Sequence, residues 1–210
     1  MIHSNNNLAA NETYNFSAIV LAAGSSTRMG QNNKLLEHIE NLPILHRVLD
    51  ATTMSAVQQC VVVTGFEAER VHESIRGYNT EIIFNPEHTQ GMSTSLRAGL
   101  TSLTLDTDAA LIVLGDMPDI KSDSINQLIQ SFNPAQGREI CIPVYKGKRG
   151  NPVLWSRRFF PDLCSVTGDI GGRCLFEGFS EYIHKCPIAD QSIHVDINTT
   201  DQLNARRIRK

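Results

Sequence analysis

The sequence is poor in aromatic residues, has no cysteine pair at metal-binding spacing, carries no excess of positive charge and lacks a long hydrophobic run. Aromatics make up 6% of its 210 residues, with one tryptophan. The apolar run from Ala18 to Ala23 follows a polar, Asn-rich stretch, Met1 to Tyr14, that has no Lys or Arg. That run is far shorter than the roughly 20 residues a membrane span needs and too short for the core of a secretory signal. The five cysteines, Cys60, Cys141, Cys164, Cys174 and Cys186, are scattered and form no C-x-x-C. Neither a zinc site nor a disulfide framework is suggested, and a cytoplasmic, reducing setting is expected. Cys60 and Cys141 flank apolar runs and read as buried thiols. Nineteen Lys+Arg against 22 Asp+Glu give a net charge of −3, which argues against a nucleic-acid partner. A local positive cluster able to hold a small anion is still compatible with that total. With 41% hydrophobic and 20% charged residues, wholesale disorder is excluded. The chain is expected to form one domain, residues 16–210, behind a tail of residues 1–15.

What is present is an alternation of short β-branched runs with longer periodic stretches. Ser17–Ala22, Cys60–Thr64, Glu81–Phe84 and Ala109–Leu114 read as strands, apolar on both faces as in a helix-covered parallel sheet. Helical spacing appears in Leu42–Ala56, Glu67–Ile75 and Met92–Leu103, and again after Ser122, which reads as an N-cap. Four β-α units in this order predict an α/β fold with a doubly wound, mostly parallel sheet and right-handed crossovers. The remainder is less regular. Strands are expected at Ile140–Tyr145, Pro152–Trp155 and Ile193–Ile197, with helices near Arg158–Cys164 and Thr200–Arg209. The stretch from about Glu139 reads as a subdomain folded onto the sheet.

The loop after the first strand carries the most information: Leu21-Ala22-Ala23-Gly24-Ser25-Ser26-Thr27-Arg28-Met29-Gly30, then Lys34-Leu35-Leu36. Small residues let backbone N–H groups approach an anion. Arg28 adds a planar fork for phosphate oxygens and Lys34 a point charge. The loop is not G-x-G-x-x-G, because Ser26 stands at the second glycine. Five residues separate Gly24 from Gly30 and Gln31 follows, so it is not a Walker A loop either. Asp116, in Gly115-Asp116-Met117-Pro118, follows the fourth strand directly and would face the same crevice. It reads either as a ligand for a cation that needs few carboxylates or as a turn-forming residue before proline. Asp196 is a second acidic candidate. Met92-Ser93-Thr94-Ser95 opens a helix after Gly91, and such an N-terminus offers free N–H groups.

These segments resemble the nucleotidyltransferases that include the molybdenum cofactor guanylyl- and cytidylyltransferases. The likeness runs along nearly the whole chain, through Val63-Thr64-Gly65-Phe66, Asn85-Pro86, Gln90 to Leu96, Gly115 to Pro118, Arg149 to Leu154 and Asp196 to Thr199. The first loop reads Ala22-Ala23-Gly24 where the guanylyl branch usually has Ala-Gly-Gly, so the resemblance is closer to the cytidylyl branch. It implies a Rossmann-like nucleotidyltransferase fold, with residues 16–138 as the nucleotide-binding half and residues 139–210 as an acceptor-side subdomain, and transfer of CMP from CTP to the phosphate of a pterin acceptor, the molybdenum cofactor. It also implies Mg²⁺ (or Mn²⁺) on Asp116 and Asp196, with a molybdoenzyme as a client and no membrane partner. Arg28 and Lys34 would hold the triphosphate. Leu21 to Ser26, Thr64, Gly65, Asn85, Gly91, Met92, Ser93 and Ser95 would line the nucleotide site. Arg149, Gly150, Asn151 and Pro152 would meet the acceptor, although relatives often have His where Asn151 stands. The loop from Thr167 to Arg173 would border the same site, with Arg173 either meeting a phosphate or pairing with an acid. A sugar phosphate or another phosphorylated acceptor, and a non-catalytic cofactor-binding chaperone, are the competing readings.

Overall fold

The computed structural model describes residues 14–25, 33–189 and 191–207. Most of the expected tail, along with Ser26 and Arg28, lies outside the described residues. In chain order the strands are β1 (Phe16–Ala22), β2 (His38–Ile39), β3 (Leu42–Pro43), β4 (Gln59–Thr64) and β5 (Glu81–Phe84). They continue with β6 (Ala109–Leu114), β7 (Ile140–Tyr145), β8 (Lys148–Arg149), β9 (Val153–Ser156) and β10 (Ile183–Pro187). The helices are α1 (Ile44–Thr53), α2 (Ala68–Ser74), α3 (Met92–Ser102), α4 (Ser122–Ser131), α5 (Phe160–Ser165) and α6 (Thr200–Arg207).

Eight strands form one sheet in the order β10-β7-β9-β6-β1-β4-β5, with β8 paired to β7. β5, β4, β1 and β6 run parallel, which suits the two-sided burial of β1, β4 and β6. β9 is antiparallel to both β6 and β7, and β10 returns parallel to β7. The sheet is thus mostly parallel and doubly wound, as expected.

Period-two alternation divides the core. Ala18, Val20 and Ala22 of β1 join α1 (Leu45, Val48, Leu49) and α4 (Ile125, Leu128) on one face. Ile19, with Val61 and Val63 of β4, packs against α3 (Leu96, Leu100) and the Trp155–Phe159–Leu163 cluster on the other. Gly99 lets α3 lie against the sheet, since a Cβ there would come within 2.4 Å of the Ile19 Cγ2.

Two local expectations fail. Ile193–Ile197 is not a strand: Gln191–His194 is a 3-10 turn, and β10 takes the free edge of β7. The segment instead ties loops together, with Asn151 N donating to Ile193 O at 2.9 Å and Ile197 N to Asp116 O at 3.0 Å. Ser122 is the first residue of α4 and makes no side-chain cap, because the cap position belongs to Lys121. Among the described residues no helix is long and apolar enough to cross a membrane.

Candidate active site

The strand order places β1 between β4 and β6, the point where successive crossovers leave toward opposite edges of the sheet. Open α/β sheets bind ligands beyond the carboxyl ends of the strands at such a point. A cleft of about 600 Å³ lies there, walled by Leu21, Ala23, Gly24 and Ser25 at the end of β1 and by Leu114 and Asp116 at the end of β6. That volume falls within the range of small-molecule sites.

Lys34 enters from a 3-10 turn, Lys34–Leu36, anchored at both ends. Asn33 Oδ1 accepts from Leu35 N at 3.1 Å, and Asn33 Nδ2 donates to Phe66 O at 3.2 Å. Leu35 is buried beneath the turn. The Lys34 ammonium donates to Asp116 Oδ2 at 2.6 Å, Ile197 O at 2.8 Å and Asn198 Oδ1 at 3.2 Å. Asn198 Nδ2 in turn donates to Asp196 Oδ2 at 2.6 Å. One hydrogen-bonded chain therefore joins Asp116 to Asp196, and both carboxylates face the cleft. Asp116 Oδ1 is buried and accepts no hydrogen bond among the described residues. Its side chain is 18% exposed, and that of Lys34 15%. A buried carboxylate oxygen without a donor suits a hard cation, and Mg²⁺ or Mn²⁺ asks for few protein carboxylates beside substrate oxygens and water. Among the described residues no group of three or more His, Cys, Asp or Glu side chains is set to hold a metal. Asp116, Asp169 and Asp196 are the carboxylates that line the cleft among the described residues.

The opposite wall is the entrance to α3: His88, Thr89, Gln90, Gly91, Met92 and Ser95. Its backbone N–H groups are not free as the sequence suggested. Met92 N donates to Asp169 Oδ1 at 3.1 Å and Ser93 N to Gly168 O at 3.2 Å, so loop 167–173 caps the helix and brings Asp169 into the cleft wall. Gly91 makes this contact possible. Its φ is 111°, and a Cβ would come within 2.6 Å of the Gly168 carbonyl carbon and oxygen.

Of the residues expected at the nucleotide, Leu21, Ala23, Gly24, Ser25, Lys34, Gly91, Met92 and Ser95 meet in the cleft, together with Asp116 and Asp196. Ala22 points into the core. Thr64 is buried at the end of β4, and Gly65 lies under His88, whose Cβ would be 2.5 Å from an added Cβ. Asn85 is a brace: its Nδ2 donates to Thr94 Oγ1 at 2.9 Å and Ser95 Oγ at 3.0 Å, while its Oδ1 accepts from Glu87 N at 2.9 Å. Ser93 is buried behind the wall.

The residues expected at the acceptor stand outside the cleft walls. Arg149 stacks its guanidinium over Phe176 at 5.5 Å. Gly150 N and Asn151 N donate to Pro143 O and Ile193 O, and the Asn151–Pro152 bond is cis. Arg173 is exposed on a 3-10 turn, Gly172–Leu175. Sequence reasoning missed Asn198, Asp169 and the turn His88–Gln90. The first two lie in segments already singled out, but nothing in their patterning distinguishes them from neighbours.

Comparison with known proteins accords with this geometry. Residues 18–185 match the family model described as the MobA-like NTP transferase domain. The molybdenum cofactor cytidylyltransferase of Escherichia coli K12 is 30% identical over 143 residues, covering 66% of this chain and 69% of that protein. The crystal structure of a Mycobacterium sp. strain JC1 homologue of Mycobacterium tuberculosis Rv0371c superposes with a TM-score of 0.81 at 26% identity, covering 91% of this chain and 94% of that one. The Mycobacterium tuberculosis Rv0371c complex with manganese gives a TM-score of 0.79 at 23% identity, covering 93% of this chain and 100% of that one, a likeness of fold. With the family model spanning most of the sheet and both walls of the cleft, the chain is a nucleotidyltransferase and belongs to the MobA-like NTP transferase domain family.

Proposed function

We propose that the chain transfers CMP from CTP to the phosphate of the molybdenum cofactor, releasing pyrophosphate and forming the cytosine dinucleotide. The observation that carries this reading is the convergence of Lys34, Asp116 and Asp196 in a cleft after β1 and β6, in a chain similar to a molybdenum cofactor cytidylyltransferase.

A phosphate monoester with its second pKa near 6 is already nucleophilic at neutral pH, so no Ser-His dyad is needed. An acceptor oxygen attacks the α-phosphorus in line, and the bond from that phosphorus to the β-bridging oxygen breaks with its electron pair leaving on pyrophosphate. Catalysis is then positioning plus charge neutralisation. The loop at Gly24 and Ser25 presents backbone N–H groups to the triphosphate, and the Lys34 ammonium balances charge on the departing pyrophosphate. Arg28 belongs to the same loop and would share that role. Asp116 and Asp196 would hold Mg²⁺ or Mn²⁺, which when bound supplies Lewis-acid neutralisation of the α-phosphate. Leu21 and Met92 shield the reacting phosphate from water, and Ser95 offers a hydroxyl to ribose or base. The acceptor would enter from the half after residue 138.

The test incubates purified chain with each of the four NTPs, Mg²⁺ or Mn²⁺, and either molybdenum cofactor or a panel of sugar and polyol phosphates, with product mass and pyrophosphate measured. A CMP adduct of the pterin with CTP preferred supports the reading, and transfer only to another acceptor replaces it. That second reading is favoured by one observation: Arg149 to Pro152 and Arg173 are not in the cleft walls. Asp116→Ala should lose turnover by roughly 10²–10³-fold, the scale of one removed electrostatic stabiliser, with the circular dichroism spectrum unchanged. Near-normal activity in that variant refutes the mechanism.

A further inference from the structure

Lys34 is expected to touch phosphate, yet among the described residues its ammonium is bound to three protein oxygens, two from side chains and one from the backbone. They come from the end of β6 and from the segment leading into α6. An ammonium ringed by a carboxylate, a carbonyl and an amide oxygen sits in the donor set that a hard metal cation prefers. It also occupies Asp116 Oδ2 directly. Through Asn198 the same ammonium fixes the line from Asp116 to Asp196 Oδ2.

We infer that Lys34 is an internal cation that occupies the metal site of the nucleotide-free protein, and that it exchanges places with a divalent metal when a triphosphate arrives. The physical reason is charge balance. With Lys34 in place, Asp116 is already neutralised in a pocket where both partners are largely shielded from water. A divalent ion on Asp116, even at the Oδ1 that has no donor among the described residues, would meet a fixed positive charge on the same carboxylate, and repulsion in such surroundings is several-fold stronger than in water. A triphosphate changes this by offering the ammonium anionic oxygens beside Gly24 and Ser25, which line the same cleft. Lys34 can then leave Asp116 without losing its counter-charge. Metal and nucleotide therefore enter as a coupled pair, and free metal alone binds poorly.

This inference rests on Asp116 as a metal ligand in the proposed function, but on neither the base nor the acceptor. The test titrates Mn²⁺ into nucleotide-free full-length chain and follows loss of the free hexaaqua Mn²⁺ signal by electron paramagnetic resonance. Lys34→Gln, which keeps a hydrogen-bond donor for Asp116, should bind Mn²⁺ at least tenfold more tightly than the unaltered chain. Adding Asp116→Asn to Lys34→Gln should remove the gain. Equal or weaker Mn²⁺ binding in Lys34→Gln overturns the exchange. If that variant does not fold, ¹⁵Nζ-lysine NMR on the unaltered chain, assigned with Lys34→Arg, decides the matter. The Lys34 ammonium signal should shift when Mg²⁺ is added with α,β-methylene-CTP, and a signal that stays in place overturns the inference. Tightened Mn²⁺ binding in Lys34→Gln with no CMP transfer by the unaltered chain would sink the proposed function and leave the exchange standing. Transfer with unchanged Mn²⁺ binding would do the reverse.

Discussion

Replacing Gly91 with alanine tests whether loop 167–173 is held to α3 as closely as the structure shows. Two costs arise at once. The φ of 111° and ψ of 173° at Gly91 lie in a region nearly closed to residues with a Cβ, worth roughly 1–3 kcal/mol. The new Cβ would also press to 2.6 Å from the Gly168 carbonyl and 2.7 Å from Asp169 N. The loop relieves that clash only by moving away, which breaks the bonds from Met92 N to Asp169 and from Ser93 N to Gly168. At about 0.5–1.5 kcal/mol for each lost bond and strain in the middle of its range, the total is near 4 kcal/mol. For a chain of this size that lowers the melting temperature by roughly 8–16 °C. Gly77→Ala separates the two costs: its φ is 101°, and nothing lies within 4 Å of an added Cβ. It should show the strain alone, so the difference between the two variants reads the loop contact. Hydrogen exchange at the Met92 and Ser93 amides should rise in Gly91→Ala and stay at the parent rate in Gly77→Ala. Equal melting temperatures for the two variants, with Met92 and Ser93 still protected, would refute the docking of the loop.

Gly99→Ala should also destabilise, for a different reason. Its Cβ would meet Ile19 Cγ2 at 2.4 Å and Val63 Cγ2 at 3.1 Å, so overpacking of about 1–3 kcal/mol outweighs a helix-propensity gain of about 1 kcal/mol, and urea midpoints should fall. The thiols should divide by environment. Burial pushes Cys60 up to about 12 while Cys174 is exposed, so at pH 8 a disulfide reagent should label Cys174 within minutes and Cys60 only after denaturation. Peptide mapping reads both, and rapid native labelling of Cys60 would contradict the packing of β4.

The parallel half of the sheet was legible because burial on both faces writes a continuous apolar run in β1, β4 and β6. The edge strand β5, with no fully buried side chain, is marked instead by its β-branched pair Ile82-Ile83. Expected and observed strands agree at Glu81–Phe84 and Ala109–Leu114, and differ by one residue at the starts of β1 and β4. The opposite edge is different. β10 reads Ile-His-Lys-Cys-Pro, with Cys186 its one fully buried side chain, so no run marks it. Ile193, Val195 and Ile197 alternate like a strand, yet Ile193 and Ile197 are buried from a turn and a loop. Periodicity reports which side chains are inside, and it does not report which backbone pairs with a neighbour.

The same limit runs through the site. Asp116 could be found because a carboxylate directly after a buried strand must emerge at the cleft, and Lys34 because it follows the small-residue loop. Their union could not, since it depends on the Ile197 carbonyl, 163 residues along the chain from Lys34, and every residue supplies a carbonyl whatever its side chain. The α3 entrance shows this from the donor side. Gly91 and the Ser-Thr-Ser sequence correctly mark a helix start, but the partners of its N–H groups are the Gly168 carbonyl and the Asp169 carboxylate. Where a site is assembled from backbone atoms of distant segments, side-chain patterns can name its charged members and leave their partners open. The consequence for the chemistry is specific. A lysine read as a phosphate ligand from its position after the first loop is, in the folded chain, first a ligand of the acid expected to hold the metal, and any account of turnover has to begin by separating them.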